Sequence, residues 1–164
     1  MQVVTTGRLR LEPQLAAHAE EMFAVLSDPK IYEFENAPPH SIEWLRERYA
    51  RLESRRSPEG GQQWLNWVIR VSSGELIGYV QATVFAGGRA AIAYELSSRH
   101  WGRGLAREAC EAMLSELTAR HGVRHAHAVF KARNHRSLRL LQRLGFAPAA
   151  GDVEPDELLM AREL

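Results

Sequence analysis

Arg99-His100-Trp101-Gly102-Arg103-Gly104-Leu105-Ala106 is the stretch whose reading decides this chain. It lies between a strand-like run, Arg89 to Leu96, and a run from Leu105 to Arg120 in which Ala109, Met113 and Leu117 make a helical stripe. Two glycines at a strand-to-helix junction let the backbone approach a ligand closely. The first amides of a helix have no intrahelical acceptor, and the positive end of the helix dipole lies in the same place. Together they make a seat for phosphate oxygens, to which Arg99 and Arg103 add full charges. The plainer reading is a turn whose glycines serve geometry alone, because a short glycine pattern is weak evidence. Two nucleotide signatures are excluded. A dinucleotide fingerprint needs a small residue where Arg107 stands and an acidic residue ~20 positions on. A Walker loop needs Gly-Lys-Ser/Thr, and Gly104 is followed by Leu105 and Ala106.

Upstream, Gly87-Gly88 leads back to two β-rich runs, Trp64 to Val71 and Leu76 to Phe85, joined through Ser72-Ser73-Gly74-Glu75 as a hairpin. With Arg89 to Leu96 they form an antiparallel meander. Before the meander, Ser41 opens a helix whose apolar stripe is Ile42, Leu45, Tyr49 and Leu52. An earlier helix runs from Leu15 to Leu26 and is stopped by Ser27-Asp28-Pro29, and Val3 to Leu11 reads as the first strand. Downstream, Gly122 ends the helix of the loop and His125 to Lys131 is a strand. Ser137 to Leu144 is a helix closed by Gly145 at the C′ position, and Leu158 to Glu163 is the last strand. The order β-α-α-β-β-β-α-β-α-β, a meander followed by a β-α-β crossover, predicts an α/β (α+β) fold. Its central sheet is mixed and mostly antiparallel, with helices on both faces.

Composition narrows the partners. The 164 residues suffice for one domain, 1–164, that buries roughly 70% of its extended surface. The chain is 45% apolar and 25% charged, which excludes a disordered or collagen-like chain. Lys+Arg 21 against Asp+Glu 20 leaves a formal +1, so nothing in the balance demands nucleic acid or an anionic membrane. No basic stripe with interleaved aromatics is present. One cysteine, Cys110, excludes an internal disulfide and a Cys-rich zinc site. Arg8 and Arg10 stand where a signal peptide would be apolar, and no window approaches the ~20 apolar residues of a membrane span. A cytoplasmic protein is expected.

Beyond the loop, several separated motifs agree. Arg99, Gly102 and Gly104 fit Gln/Arg-x-x-Gly-x-Gly/Ala, Tyr94 and Leu96 precede it as Tyr-x-Leu, and Asn134-His135-Arg136-Ser137 with Leu144-Gly145-Phe146 follow as Asn-x-x-Ser…Leu-Gly-Phe. The chain opens with Thr6-Gly7-Arg8-Leu9-Arg10-Leu11, similar to a Thr-x-Arg-Leu-x-Leu start. In these features it resembles the GCN5-related N-acetyltransferases over nearly its whole length. It is most similar to the branch that holds the ribosomal-protein N-terminal (alanine/serine) acetyltransferases. The resemblance implies acetyl-CoA as cosubstrate and an amine acceptor, either a protein N-terminus or a small molecule. A monomer or a homodimer fits it equally.

The resemblance also implies where the chemistry sits. The amides from Arg99 or Trp101 through Gly102, Arg103, Gly104, Leu105 and Ala106 would hold the pyrophosphate. The fourth strand near Leu96, where it splays from the fifth, would supply oxyanion donors and admit pantetheine. Ser137, matching the family serine, would protonate or hydrogen-bond the departing sulfur; a thiol pKa of ~8.5 makes that undemanding. Ser137 could equally serve as a helix cap. Asn134 would contact pantetheine, or simply shape a turn. The branch often carries a carboxylate in Glu-Ile-Gly-Tyr, where this chain has Ala91-Ile92-Ala93-Tyr94. Glu95 is the nearest replacement as base, with an exposed strand glutamate and water-mediated deprotonation as alternatives. The segment Gly151 to Glu157 is shorter than the branch usually carries.

Other residues have plainer readings. His125 and His127 share a strand face but lack a third ligand, so no metal site is expected. Cys110 reads as a buried thiol, Trp64 and Trp67 as core, and Glu33 with Glu35 as a solvated acidic turn. The expected activity is acetyl-CoA-dependent N-acetyl transfer. A non-catalytic acyl-CoA binder and an acyltransferase for longer chains are the competing readings.

Overall fold

The computed structural model describes residues 1–164. The hairpin β3 (Gln63–Val71) and β4 (Leu76–Phe85) continues antiparallel into β5 (Arg89–Leu96). Helix α3 (Leu105–His121) then crosses to β6 (His125–Lys131), which pairs with β5 in parallel. After α4 (His135–Arg143), β8 (Glu157–Glu163) returns antiparallel to β6. The finished sheet has eight strands, in the order β1 (Val4–Thr5), β2 (Leu9–Pro13), β3, β4, β5, β6, β8 and β7 (Ala147–Pro148), mixed and mostly antiparallel as the sequence predicts.

The differences are local and have local causes. Val3 to Leu11 is not one strand but a hairpin, β1 (Val4–Thr5) and β2 (Leu9–Pro13). Thr6 donates its backbone N–H to the Leu9 carbonyl at 2.8 Å and its hydroxyl accepts the Leu9 N–H at 3.0 Å, closing the turn at Gly7. The first helix starts later than its apolar pattern: Ala16–His18 form a single 3₁₀ turn, and α1 is Ala19–Leu26. His18 Nδ1 accepts the Leu15 N–H and tightens that turn. Helix α2 (Ile42–Leu52) is capped by Ser41, whose hydroxyl accepts the Trp44 N–H at 3.1 Å. Helix α4 begins two residues before Ser137, because Asn134 is its cap: Asn134 Oδ1 accepts the Ser137 N–H at 3.1 Å. The two-residue strand β7 (Ala147–Pro148) carries no apolar alternation and was not legible.

Both faces of the sheet are covered. In β3, Leu65 to Ile69 are buried without interruption, as expected of a strand with layers on each side. Trp67 and Ile69 join Leu11, Met113, Leu117 and Leu141 beneath α3 and α4. Val68 joins Met22, Leu45 and Tyr49 beneath α1 and α2. At Gly78 a Cβ would lie 2.0 Å from the Glu95 carbonyl oxygen, so a side chain there would push β5 away from β4.

Candidate active site

β5 and β6 pair only from Arg89–Ala91 to His125–His127. Beyond Ala91 the strands splay, and the edge of β5 toward β6 has no ladder partner. A cleft of about 600 Å³ opens there. Tyr94, Glu95 and Leu96 line it from β5, Trp101 to Ala106 (without Arg103) from the loop, and Asn134, Ser137 and Leu140 from α4. Most of the residues singled out in the sequence therefore share one cavity. Arg99 and Arg103 do not line it: both are exposed, Arg99 in the turn Ser98–His100.

The loop leaves a run of backbone amides unpaired. Gly102 and Gly104 have φ of 75° and 76°, a region that disfavours side chains. Gly104 caps α3 without any side-chain cap, and the amides of Gly102 through Arg107 find no backbone acceptor. The opening segment of the chain braces this geometry. Glu108 accepts from the Thr6 hydroxyl at 2.6 Å, the Arg8 N–H at 2.9 Å and Arg8 Nε at 2.7 Å. Arg8 also donates to the Arg103 carbonyl at 2.9 Å. On the far side, Trp101 Nε1 donates to the Leu96 carbonyl at 2.9 Å, and Asp28 accepts the Ser98 N–H at 2.8 Å.

Glu95 sits where burial penalises a negative charge, which lifts its carboxyl to about 8; Glu35 raises it further, while the Leu96 N–H and Arg136 oppose the shift. Burial likewise pushes the Tyr94 phenol up, and the Ser137 hydroxyl facing it works the other way. Tyr94 and Ser137 thus form a pair of hydroxyls in the cleft wall. Buried Cys110 is driven upward by the same desolvation and is inert as a nucleophile.

Several residues escaped the sequence reading. Arg107, Arg136, Arg139 and Arg143 all line the cleft and make its wall cationic. Positions 136, 139 and 143 follow helical spacing, so their shared face was a signal available in the sequence. Arg136 lies 4.1 Å from the Trp101 ring centroid and 5.4 Å from that of Phe34, and pairs with Glu33 at 2.7 Å. It ties the α1–α2 linker to the loop, a tertiary contact no local pattern announces. Glu33 is exposed, as expected, but paired with Arg136, while Glu35, also exposed, lines the cleft. His100 also lines the cleft, with its Nδ1 buried and unpartnered. His127 stacks on Phe85 at 6.2 Å, and His125 lies 3.9 Å from Glu163.

A second cavity of about 350 Å³ lies behind Glu95, between α1, α2 and the sheet. Glu95 is the one residue common to both cavities.

Residues 8–147 match the family model described as "Acetyltransferase (GNAT) domain", and the chain belongs to this family of acetyltransferases. Over 148 residues, 89% of this chain and 83% of the other, it is 25% identical to an uncharacterized N-acetyltransferase, p20, of Bacillus licheniformis. Its fold superposes on ribosomal-protein-S5-alanine acetyltransferase from Vibrio fischeri with a TM-score of 0.83 at 16% identity, covering 98% of this chain and 96% of that one. RimL, a ribosomal L7/L12 alpha-N-protein acetyltransferase in complex with coenzyme A, gives a TM-score of 0.82 at 17% identity, over 99% and 98% of the chains. No helix is long and apolar enough to cross a membrane.

Proposed function

We propose that this chain moves the acetyl group of acetyl-CoA to a primary amine, a protein N-terminus or a small molecule, by direct attack on the thioester, with Glu95 as base. The position of Glu95 on both cavities carries the reading, since it stands where a ligand of the cleft and one of the second cavity would meet. RimL, which shares the fold, is a complex with coenzyme A, and this supports a coenzyme A thioester as cosubstrate. The unpartnered amides from Gly102 to Ala106 suit a pyrophosphate, and Arg107, Arg139 and Arg143 suit its remaining phosphate charge. Asn134 spends Oδ1 on its cap and keeps Nδ2 for the pantetheine arm.

Acetyl-CoA supplies an activated carbonyl carbon and a thiolate leaving group. The ammonium of the acceptor gives one proton to Glu95, and the neutral nitrogen then bonds to that carbon as its bond to sulfur breaks. A carboxyl near 8 is matched to this proton better than an ordinary glutamate, whose conjugate base would be too weak. As the carbon–sulfur bond breaks, Ser137, with Tyr94 beside it, gives its hydroxyl proton to the sulfur and is restored by the second proton that the new amide nitrogen loses, while the unpaired edge of β5 near Leu96 faces the developing oxyanion.

Calorimetric titration with acetyl-CoA, free CoA and ATP tests the reading. Micromolar acetyl-CoA binding without comparable ATP binding is expected, lost in Gly104→Glu while the protein remains folded, its melting temperature lowered only by the strain at this positive φ. Absence of binding in the unaltered protein would remove the enzyme assignment, and unchanged affinity in Gly104→Glu would remove the loop from the site.

A further inference from the structure

The cavity behind Glu95 is unlike a site for a polycation. Its wall carries one carboxylate, Glu95, and one cation, Arg48. Arg48 lies on α2 over the Trp44 ring, 5.7 Å from its centroid, and no carboxylate of the chain pairs with it. Between the two charges the wall is aromatic, from Tyr32, Tyr49 and Tyr79. Gln14 borders the same space, 5% exposed, and its Nε2 is buried without a hydrogen-bond partner. A buried donor left unpaired is costly unless an acceptor fills the place. The cavity therefore offers an acid-base group at the boundary with the cleft, a wall of tyrosines with Asn36, Asn66 and Gln81 among them, and two donors without a partner, Arg48 and Gln14, that both call for acceptor oxygens.

We infer that the acceptor is a small primary amine bearing a carboxylate. Its nitrogen meets Glu95, its apolar or aromatic body packs among the tyrosines, and its carboxylate is taken by Arg48, with Gln14 completing the oxygen contacts. This rests on the acetyltransferase reading above. Amines with several positive charges fit poorly, because a single carboxyl with a raised proton affinity cannot neutralise them. An unmodified protein N-terminus lacks the anion that Arg48 is free to bind.

The test uses matched amines with and without the carboxylate: 4-(aminomethyl)benzoate against benzylamine, and L-phenylalanine against phenethylamine. Spermidine and an alanyl tetrapeptide amide complete the panel. Thiol release from acetyl-CoA is followed, together with calorimetric binding of each amine to the CoA-loaded protein. At least tenfold higher kcat/KM for one carboxylate-bearing amine over its partner is expected. Arg48→Gln should erase that preference through KM, leaving acetyl-CoA affinity and the melting temperature unchanged. Equal or faster acetylation of the carboxylate-free amine in both pairs, or of spermidine or the peptide amide relative to the better carboxylate-bearing amine, overturns the inference, as does an Arg48→Gln that slows both members of a pair alike. Acetyl-CoA binding with no panel amine bound or acetylated also overturns it while the acetyltransferase reading stands. Failure to bind acetyl-CoA removes the reading beneath it.

Discussion

In the proposed reaction Glu95 acts as base because its surroundings, not its residue type, set its proton affinity. Burial lifts it to about 8. In the proposed mechanism the deprotonated form is the base, so kcat/KM should rise with pH and level off near 8. Glu95→Gln should lower kcat/KM by about 10²–10⁴-fold and abolish that limb, with acetyl-CoA affinity unchanged; a retained limb in the glutamine variant would assign it to the amine instead. Ser137 and Tyr94 face each other, so they should act together. Ser137→Ala should lower kcat by about 10-fold or more, and Tyr94→Phe should lower it less. The double variant should fall short of the product of the two, as measured from single-turnover rates. Full activity in Ser137→Ala would leave the hydroxyl without a part in the reaction. The serine is not the helix cap, since Asn134 holds that place.

At the scale of elements, the loop depends on a segment a hundred residues away. Arg8 fastens the β1–β2 turn to both Glu108 of α3 and the Arg103 carbonyl. The amides that suit phosphate are therefore held by a contact that never touches the ligand. Arg8→Ala should weaken acetyl-CoA binding several-fold, with a KM effect larger than its kcat effect, and lower the melting temperature only slightly. Arg8→Lys should rescue little, because one ammonium cannot reach the Glu108 carboxylate and the Arg103 carbonyl at once. Equal acetyl-CoA affinity in Arg8→Ala, read by calorimetry, would show that the loop holds its shape alone.

Across the whole molecule, titrating groups pull stability in opposite directions. Burial would raise the Glu12 and Glu108 carboxyls, but Arg70 beside Glu12, and Thr6 with Arg8 beside Glu108, outweigh it and hold both below the usual range. Groups so depressed stabilise the fold above their unfolded values, near 4.5, and lose that contribution as pH falls through their folded ones. Glu95 is the reverse: its contribution is full below about 4.5 and is lost as pH rises through about 8. Thermal unfolding midpoints should therefore fall on acidification below about pH 4.5, less steeply in Glu108→Gln. They should also decline between about pH 5 and 8, a slope that Glu95→Gln flattens. A Glu95→Gln profile parallel to that of the unaltered protein would contradict the burial of this charge.

Local signals carried much of the architecture. Apolar periodicity and the punctuation at Ser41, Gly87-Gly88, Gly122 and Gly145 placed β4, β5 and β6 and the helix after the loop within a residue or so. These depend on contacts a few positions apart, which side-chain alternation and backbone geometry enforce directly. The glycine loop with its free helix amides was legible for the same reason: the amides of a helix start are unpaired whatever the helix packs against. The Thr6-Gly7 turn was missed, because what fixes it includes a hydrogen bond to Glu108, 102 positions on. What Glu95 does could not be read from its strand either. Alternation assigns a residue to a face, but the two cavities that meet at Glu95 exist only because β5 leaves β6 after Ala91 and α1 and α2 roof the other side. The clasp of Arg136 between Trp101 and Phe34, and the freedom of Arg48, are likewise facts of packing. The sequence by itself determined most of the elements, their order and the glycine loop with its free helix amides; the tertiary structure decided burial, and with it the raised carboxyl of Glu95 and the shape of the second cavity, because desolvation sums over neighbours that are far apart in the chain.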